Sequence, residues 1–277
     1  MENISTNDNK SHHKIIEIGH IADFIKMLRE QVSQNKKVLL VSDIDDTLIR
    51  PVVNFGSDSW YSYSLKNEES DHVINKLSMI YALLNFQGVE KDTKQLIATI
   101  KELSESKNHL NPIKYFCLTS RNVKFHSHTV MHLHRIGYDK TFIRRNMLNI
   151  SDHMYLMNND NVPIVRYVDN ICFTSGENKG IVLVEILRRY FETHTSLNDK
   201  FDVIIFLDDS IKNISNVNEQ LSKYSSTSFN SVCVHYTYME EHKNKYSIHH
   251  FINDTNKMNK LIELRSYIND DDINSNL

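Results

Sequence analysis

The run Lys37-Val38-Leu39-Leu40-Val41-Ser42 ends directly on Asp43-Ile44-Asp45-Asp46-Thr47, and this junction constrains the fold more than any other feature of the chain. A continuous apolar run of that length reads as a parallel strand buried on both faces. Two carboxylates two residues apart at its end then lie at the C-terminal edge of a sheet, where open α/β sheets bind ligands. Like charges on one face repel, and burying them is costly unless something positive lies between them. A divalent cation is one answer. An acidic turn after an edge strand is the plainer one.

The spacing of apolar residues predicts further strands over 113–118, 201–207 and 231–238. It predicts helices over 15–35, 71–85, 91–106, 126–136, 179–193, 210–221 and 258–268. Strands alternating with helices imply βαβ units, hence an α/β fold around a parallel sheet. A chain of 277 residues suits one such domain, here 15–277, behind a disordered polar tail at 1–14. Segments 50–90 and 138–176 are extra to that plan and are candidate cap insertions. The first opens with a loop over 50–66; the second carries a hairpin around Asn158 and Pro163.

Composition removes several classes of function. The net charge of -3, from 32 basic and 35 acidic residues, offers no nucleic-acid footprint. No apolar run approaches the roughly 20 residues of a membrane-spanning helix. The first fourteen residues lack the apolar core of a signal peptide. Cys117, Cys172 and Cys233 stand singly inside apolar runs, which argues for free thiols and a reducing compartment such as the cytoplasm.

Four constellations carry candidate chemistry. In the pair Asp43 and Asp45, one carboxylate can attack phosphorus while the other protonates the leaving oxygen and then activates water. Leu118-Thr119-Ser120-Arg121 ends the second strand, where a hydroxyl holds a phosphoryl oxygen or simply caps a helix. Lys179, in Ser175-Gly176-Glu177-Asn178-Lys179-Gly180, opens a helix. It joins the helix dipole in binding a phosphate, or it is a surface lysine. Asp208-Asp209 ends the third strand, with Asn213 beyond, and suits an oxygen-rich metal site or a helix cap. In a parallel sheet all four converge on one edge. No cysteine has an arginine at the spacing of a cysteine-based tyrosine phosphatase: Arg121 is too close to Cys117, and Asn178 and Met239 stand at that position after Cys172 and Cys233. His126, His128, His132 and His134 read as a polar helix face rather than a zinc site. Trp60, Tyr61 and Tyr63 either stack on an aromatic substrate or pack beneath their own loop.

With these residues the chain resembles the haloacid dehalogenase (HAD) superfamily over residues 36–240, most specifically in Asp43-Ile44-Asp45-Asp46-Thr47-Leu48-Ile49. The resemblance implies a Rossmannoid three-layer sandwich with a parallel central sheet and small cap insertions. It implies Mg2+-dependent hydrolysis of phosphomonoesters through an aspartyl-phosphate, with Asp43 as nucleophile and Asp45 as general acid/base. Thr119 and Lys179 would bind the phosphoryl group, aided by Thr47, Ser120 and Arg121. Asp43, Asp208, Asp209 and the backbone carbonyl of Asp45 would hold the metal. Leu207 and Asn213 depart from the family's Gly-Asp-Asp-x-x-x-Asp pattern, so the division of metal duties between Asp208 and Asp209 stays open. An acid at Asp45 fits phosphatases and phosphomutases rather than dehalogenases or ion pumps. Phe55-Gly56-Ser57-Asp58-Ser59-Trp60 and Phe173-Thr174-Ser175-Gly176-Glu177-Asn178-Lys179-Gly180 further resemble a branch that includes Legionella-type secreted effector phosphatases. That branch implies phosphotyrosine on protein as substrate, with Trp60 as an aromatic wall, and delivery into a host cell without a classical signal peptide. A phosphatase of small metabolites or nucleotides and a non-catalytic phosphate-binding module are the alternatives.

Overall fold

The computed structural model describes residues 13–34, 36–105, 113–139, 142, 148, 154–155, 165–196, 200–224 and 229–274. Its centre is an eight-stranded sheet. In chain order the strands are β1 (His13–Ile18), β2 (Val38–Ser42), β5 (Lys114–Thr119), β6 (Met154–Tyr155), β7 (Arg166–Val168), β8 (Ile171–Phe173), β9 (Val203–Asp208) and β10 (Asn230–Tyr236). The spatial order is β1-β10-β9-β2-β5-β8-β7-β6. The strands from β1 to β8 in that order run parallel, and β7 and β6 close the far edge antiparallel. The residues of β2 alternate between two separate cores, Val38 and Leu40 on one face and Leu39 and Val41 on the other. A strand enclosed on both faces has no polar side, which explains its unbroken apolar run.

Helices cover both faces. One core gathers α1 (Ile21–Ser33) and α4 (Thr93–Glu105); the other gathers α6 (Lys179–Thr193) and α7 (Ile211–Lys223). The result is a Rossmann-like three-layer α/β fold. Helices α6 and α7 approach so closely at Gly180 that a Cβ there would stand 2.5 Å from the Asn216 carbonyl oxygen. Between β2 and α4 the chain forms an antiparallel ribbon, β3 (Ile49–Pro51) with β4 (Phe86–Gly88), that carries the helical pair α2 (Asp58–Asn67) and α3 (Ser70–Leu83). After β5 comes α5 (His126–His134); after β10 come α8 (Glu240–Lys245) and α9 (Ile248–Asn274), the last packing on α2.

Three expectations need correction. His13–Ile18 is an edge strand along β10, not part of a disordered tail or of a helix starting at 15. Its apolar residues gain their partners from the far end of the chain, and α1 begins only at Ile21. Residues 1–12 lie outside the described residues. The loop expected at 50–66 contains α2, because Ser57 caps a helix there, its Oγ accepting from Trp60 N at 3.3 Å. In the expected insertion at 138–176, β7 and β8 belong to the central sheet, with Cys117, Leu118 and Thr119 in register with Ile171, Cys172 and Phe173. The hairpin around Asn158 and Pro163 lies outside the described residues. Cys117, Cys172 and Cys233 are buried free thiols.

Candidate active site

The site is made where β2, β9 and β5 end. Asp43 still follows the ladder, its N–H donating to the Leu207 carbonyl at 2.8 Å. The chain then turns tightly: Leu48 and Ile49 N–H groups donate back to the Ile44 carbonyl, and Asp46 adopts a left-handed φ of 53°. Asp is one of the few side chains that tolerate this conformation. The turn sets Thr47 against the end of β9. Thr47 Oγ1 donates to Asp209 Oδ1 and accepts from Asp209 N, both at 3.1 Å.

Carboxylates collect here around two lysines. Lys179 Nζ lies 2.6 Å from Asp43 Oδ1 and 2.8 Å from Asp208 Oδ2. Asn178 precedes it as the helix cap, accepting from Gly180 N and Ile181 N. Asp208 is further held by Ser210 N at 2.8 Å and by Asn213 Nδ2 at 3.1 and 3.2 Å. Lys243, from α8, pairs with Asp209, with Asp46 at 3.1 Å and with Asp58 at 3.7 Å. Oxygens of Asp43, Asp208 and Asp209 all lie within 4.8 Å of one another, as do those of Asp46, Asp58 and Asp209. Burial pushes the Asp43 carboxyl well above its ordinary pKa; Lys179 opposes this, while Asp208, Asp209 and Asp45 add to it. Asp208 is raised by burial and by Asp209 against the pull of Lys179. Burial also works against the Lys179 ammonium, but Asp208 and Asp43 outweigh it and its pKa rises. Two ammonium groups among five aspartates leave the cluster short of positive charge. An all-oxygen set of this kind suits a hard dication.

Asp45 faces the other way. Burial alone would raise it, but the charge and hydrogen bonds of Arg121 prevail and hold it below the usual carboxylate range. Arg121 grips it as a fork, Nε to Oδ2 at 2.8 Å and Nη2 to Oδ1 at 2.7 Å. A cavity of about 170 Å3 opens beside this pair, lined among others by Asp45, Tyr61, Tyr81, Ser120, Arg121 and Phe125. A second cavity of about 490 Å3 adjoins Asp209 and Lys243, beyond Asp58.

A family model for DUF2608, described as protein of unknown function, matches residues 17–274. The chain belongs to the DUF2608 family. No curated protein and no solved structure matches it.

In this DUF2608 chain the four sequence constellations do meet at one edge of the sheet. Asp43, Lys179, Asp208 and Asp209 form its centre, and Asp45 and Ser120 line the adjoining cavity. Thr119 is fully buried, and its Oγ1 accepts from Arg121 N at 3.2 Å. Thr47 is also fully buried and joins the β2 and β9 turns through Asp209 rather than facing a substrate. Trp60, expected as an aromatic wall, is a correction. It has no exposed surface, and its Nε1 donates to Thr255 Oγ1 of α9 at 3.2 Å. The helix started by Ser57 turns Trp60 into the core and leaves Tyr61 at the cavity. The histidines of α5 do not share one polar face: His126 meets Asp169 at 2.8 Å, whereas His132 is buried and stacked on Phe86. Sequence reasoning missed Lys243 and Asp58. Lys243 sits in the charged stretch Glu240–Lys245, which by pattern alone reads as solvated helix. Asp58 carries the signal of an acidic residue directly after the helix cap Ser57.

Proposed function

We propose that this chain is a Mg2+-dependent phosphomonoester hydrolase of the HAD type, working through an aspartyl-phosphate on Asp43. The observation that carries the reading is the placement of Asp43 at a parallel-sheet edge, 2.6 Å from Lys179 and within 4.8 Å of Asp208 and Asp209 oxygens. Asp43, Asp208 and Asp209 would hold the cation. When bound, Mg2+ neutralises phosphoryl charge and polarises the phosphorus. A carboxylate oxygen of Asp43 attacks phosphorus and the bond to the leaving oxygen breaks; because Asp45 is held ionised by Arg121, the leaving group departs as a phenolate and takes its proton from solvent. Asp45 then takes a proton from water, whose oxygen attacks the aspartyl-phosphate and releases phosphate and free Asp43. Lys179 faces the phosphoryl oxygens during both steps.

We favour an aryl ester, phosphotyrosine on protein, as the substrate. Arg121 holds Asp45 in its ionised form, which suits the second step. A phenol leaves with less help from an acid than an aliphatic alcohol does, and Tyr61, Tyr81 and Phe125 offer apolar walls for its ring. The test is a panel of phosphotyrosine and phosphoserine peptides, sugar phosphates and nucleotides, with Mg2+ and with EDTA. Phosphotyrosine peptides are expected to show the highest kcat/KM, activity to stop in EDTA, and Asp43→Asn to abolish turnover at an unchanged Tm. Higher kcat/KM on small metabolites would move the substrate assignment. Turnover that survives EDTA or Asp43→Asn would end the mechanism.

A further inference from the structure

Arg121 follows the strand-end hydroxyl Thr119 and sits beside the cavity, where a cation invites assignment to the substrate's phosphoryl group. Its surroundings argue otherwise. Nε and Nη2 are engaged by both oxygens of Asp45, and Nη1 donates to Thr129 Oγ1 at 3.0 Å. The guanidinium lies 4.5 Å from the Tyr81 ring centroid and 5.4 Å from that of Phe86. Its own peptide is tied on both sides, with N–H donating to Thr119 Oγ1 and the carbonyl accepting from Ser175 N. The residue is 5 % exposed. A group fixed in plane by Asp45 and Thr129 and on its face by Tyr81 is not free to swing toward an incoming phosphate. The Asp45 side chain retains 20 % exposure, and Asp45 lines the cavity.

We propose that Arg121 is a positioning residue: its guanidinium sets the orientation of Asp45 at the cavity and does not itself hold the substrate's phosphoryl group. Because Tyr81 and Phe86 belong to the inserted segment and Thr129 to α5, the same contact makes the stance of Asp45 depend on how that segment is seated. Lysine cannot reproduce a planar two-pronged grip, so Arg121→Lys keeps the charge and removes the orientation. The inference rests on the hydrolase reading, with Asp45 as the general base of the second step.

The experiment is a double-mutant cycle on kcat and KM for p-nitrophenyl phosphate with Mg2+, using Arg121→Lys, Asp45→Asn and the pair, each checked for Tm. Arg121→Lys is expected to lower kcat toward the level of Asp45→Asn, within the 10²- to 10⁴-fold typical of a lost acid/base. KM should change less than about threefold, and Arg121→Lys should cost almost nothing further in the Asp45→Asn background. Thr129→Val, which removes the acceptor for Nη1 but leaves Arg121 paired with Asp45, should show a weaker effect of the same pattern. It carries the test if Arg121→Lys does not fold. Losses that multiply in the double variant, or a rise in KM with kcat unchanged, overturn the proposal. Calorimetric titration with inorganic phosphate and Mg2+ separates the two ideas. Phosphate affinity unchanged within about threefold in Arg121→Lys supports the positioning role, and a larger loss makes Arg121 a phosphate ligand. Wild-type protein that binds phosphate but hydrolyses no phosphomonoester would refute the hydrolase reading alone. Wild-type protein that does neither would refute both.

Discussion

Lys179→Met is the sharpest test of how the acidic edge holds together. The lysine ammonium lies 2.6 Å from Asp43 and 2.8 Å from Asp208, and all three residues are buried. Methionine preserves length and volume but leaves two buried carboxylates facing each other without that charge. Removing one partner from a buried ion pair costs about 3–5 kcal/mol. For a domain of this size that is a fall in Tm on the order of 10 °C. The deficit should depend on pH with a definite sign. Asp43 and Asp208 already have pKa values above normal in the folded chain, and losing Lys179, which lowers both, raises them further. A raised carboxyl adds stability at low pH, and that contribution is lost as pH rises through the folded pKa. The gap between variant and wild type should therefore narrow from pH 7.5 to 5.5. Mg2+ binding to the folded state should also narrow it, by supplying the missing positive charge. Urea unfolding followed by circular dichroism, in EDTA and in Mg2+ at both pH values, measures all of this. A loss below about 1 kcal/mol in EDTA at pH 7.5, or a gap that widens on acidification, would refute the account.

Trp60→Ala should lower stability by about 3–5 kcal/mol, by emptying a core site and breaking the Thr255 contact, while leaving KM for small phosphomonoesters unchanged; chemical denaturation and steady-state kinetics check this. Tyr61→Ala should reduce the preference for phosphotyrosine over phosphoserine peptides by up to about tenfold, read as a ratio of kcat/KM; an unchanged ratio removes Tyr61 from the substrate site. His132 is pushed down to about 3, chiefly by burial and then by Arg121, so its contribution is present above its ordinary pKa of 6.5 and is lost as pH falls below it. Between pH 6 and 5 wild type should lose up to about 1.4 kcal/mol more than His132→Gln, which keeps a donor for the Tyr81 carbonyl; equal slopes in denaturation series contradict this.

The parts of the fold legible in the sequence are those whose pattern is set locally. The runs that became β2, β5, β9 and β10 are largely apolar because both faces of each strand are covered, and the ends of β2, β5 and β9 carried the aspartates and the hydroxyl. The parts that escaped are set from a distance. β1 owes its conformation to β10, with His13 Nδ1 meeting Ser231 Oγ across 218 residues of chain. Its half-exposed isoleucines show no periodicity that separates strand from helix. Ser57 caps α2 in the fold, but from sequence the aromatic run Trp60, Tyr61 and Tyr63 reads as loop, because the Thr255 and Phe251 that pack against it come from distant α9. Lys243 was invisible for the same reason: its partners Asp46, Asp58 and Asp209 come from other parts of the chain.

The order of strands across the sheet has a kinetic consequence. β2 lies between β9 and β5, so the two turns that create the acidic edge join residues 162 positions apart at Thr47 and Asp209. A ribosome-bound chain ending before β9 holds Asp43 and Asp45 but neither Asp208 nor Asp209, so it has nothing that gathers the charges. The repulsion of Asp43 by Asp208 and Asp209 arises only when β9 docks. Docking of this kind is a late, non-local event with a large loop-closure cost. Interactions formed after the rate-limiting barrier change the lifetime of the native state more than the speed of reaching it. Whatever neutralises this edge, Lys179 or a bound cation, should therefore slow unfolding far more than it hastens folding.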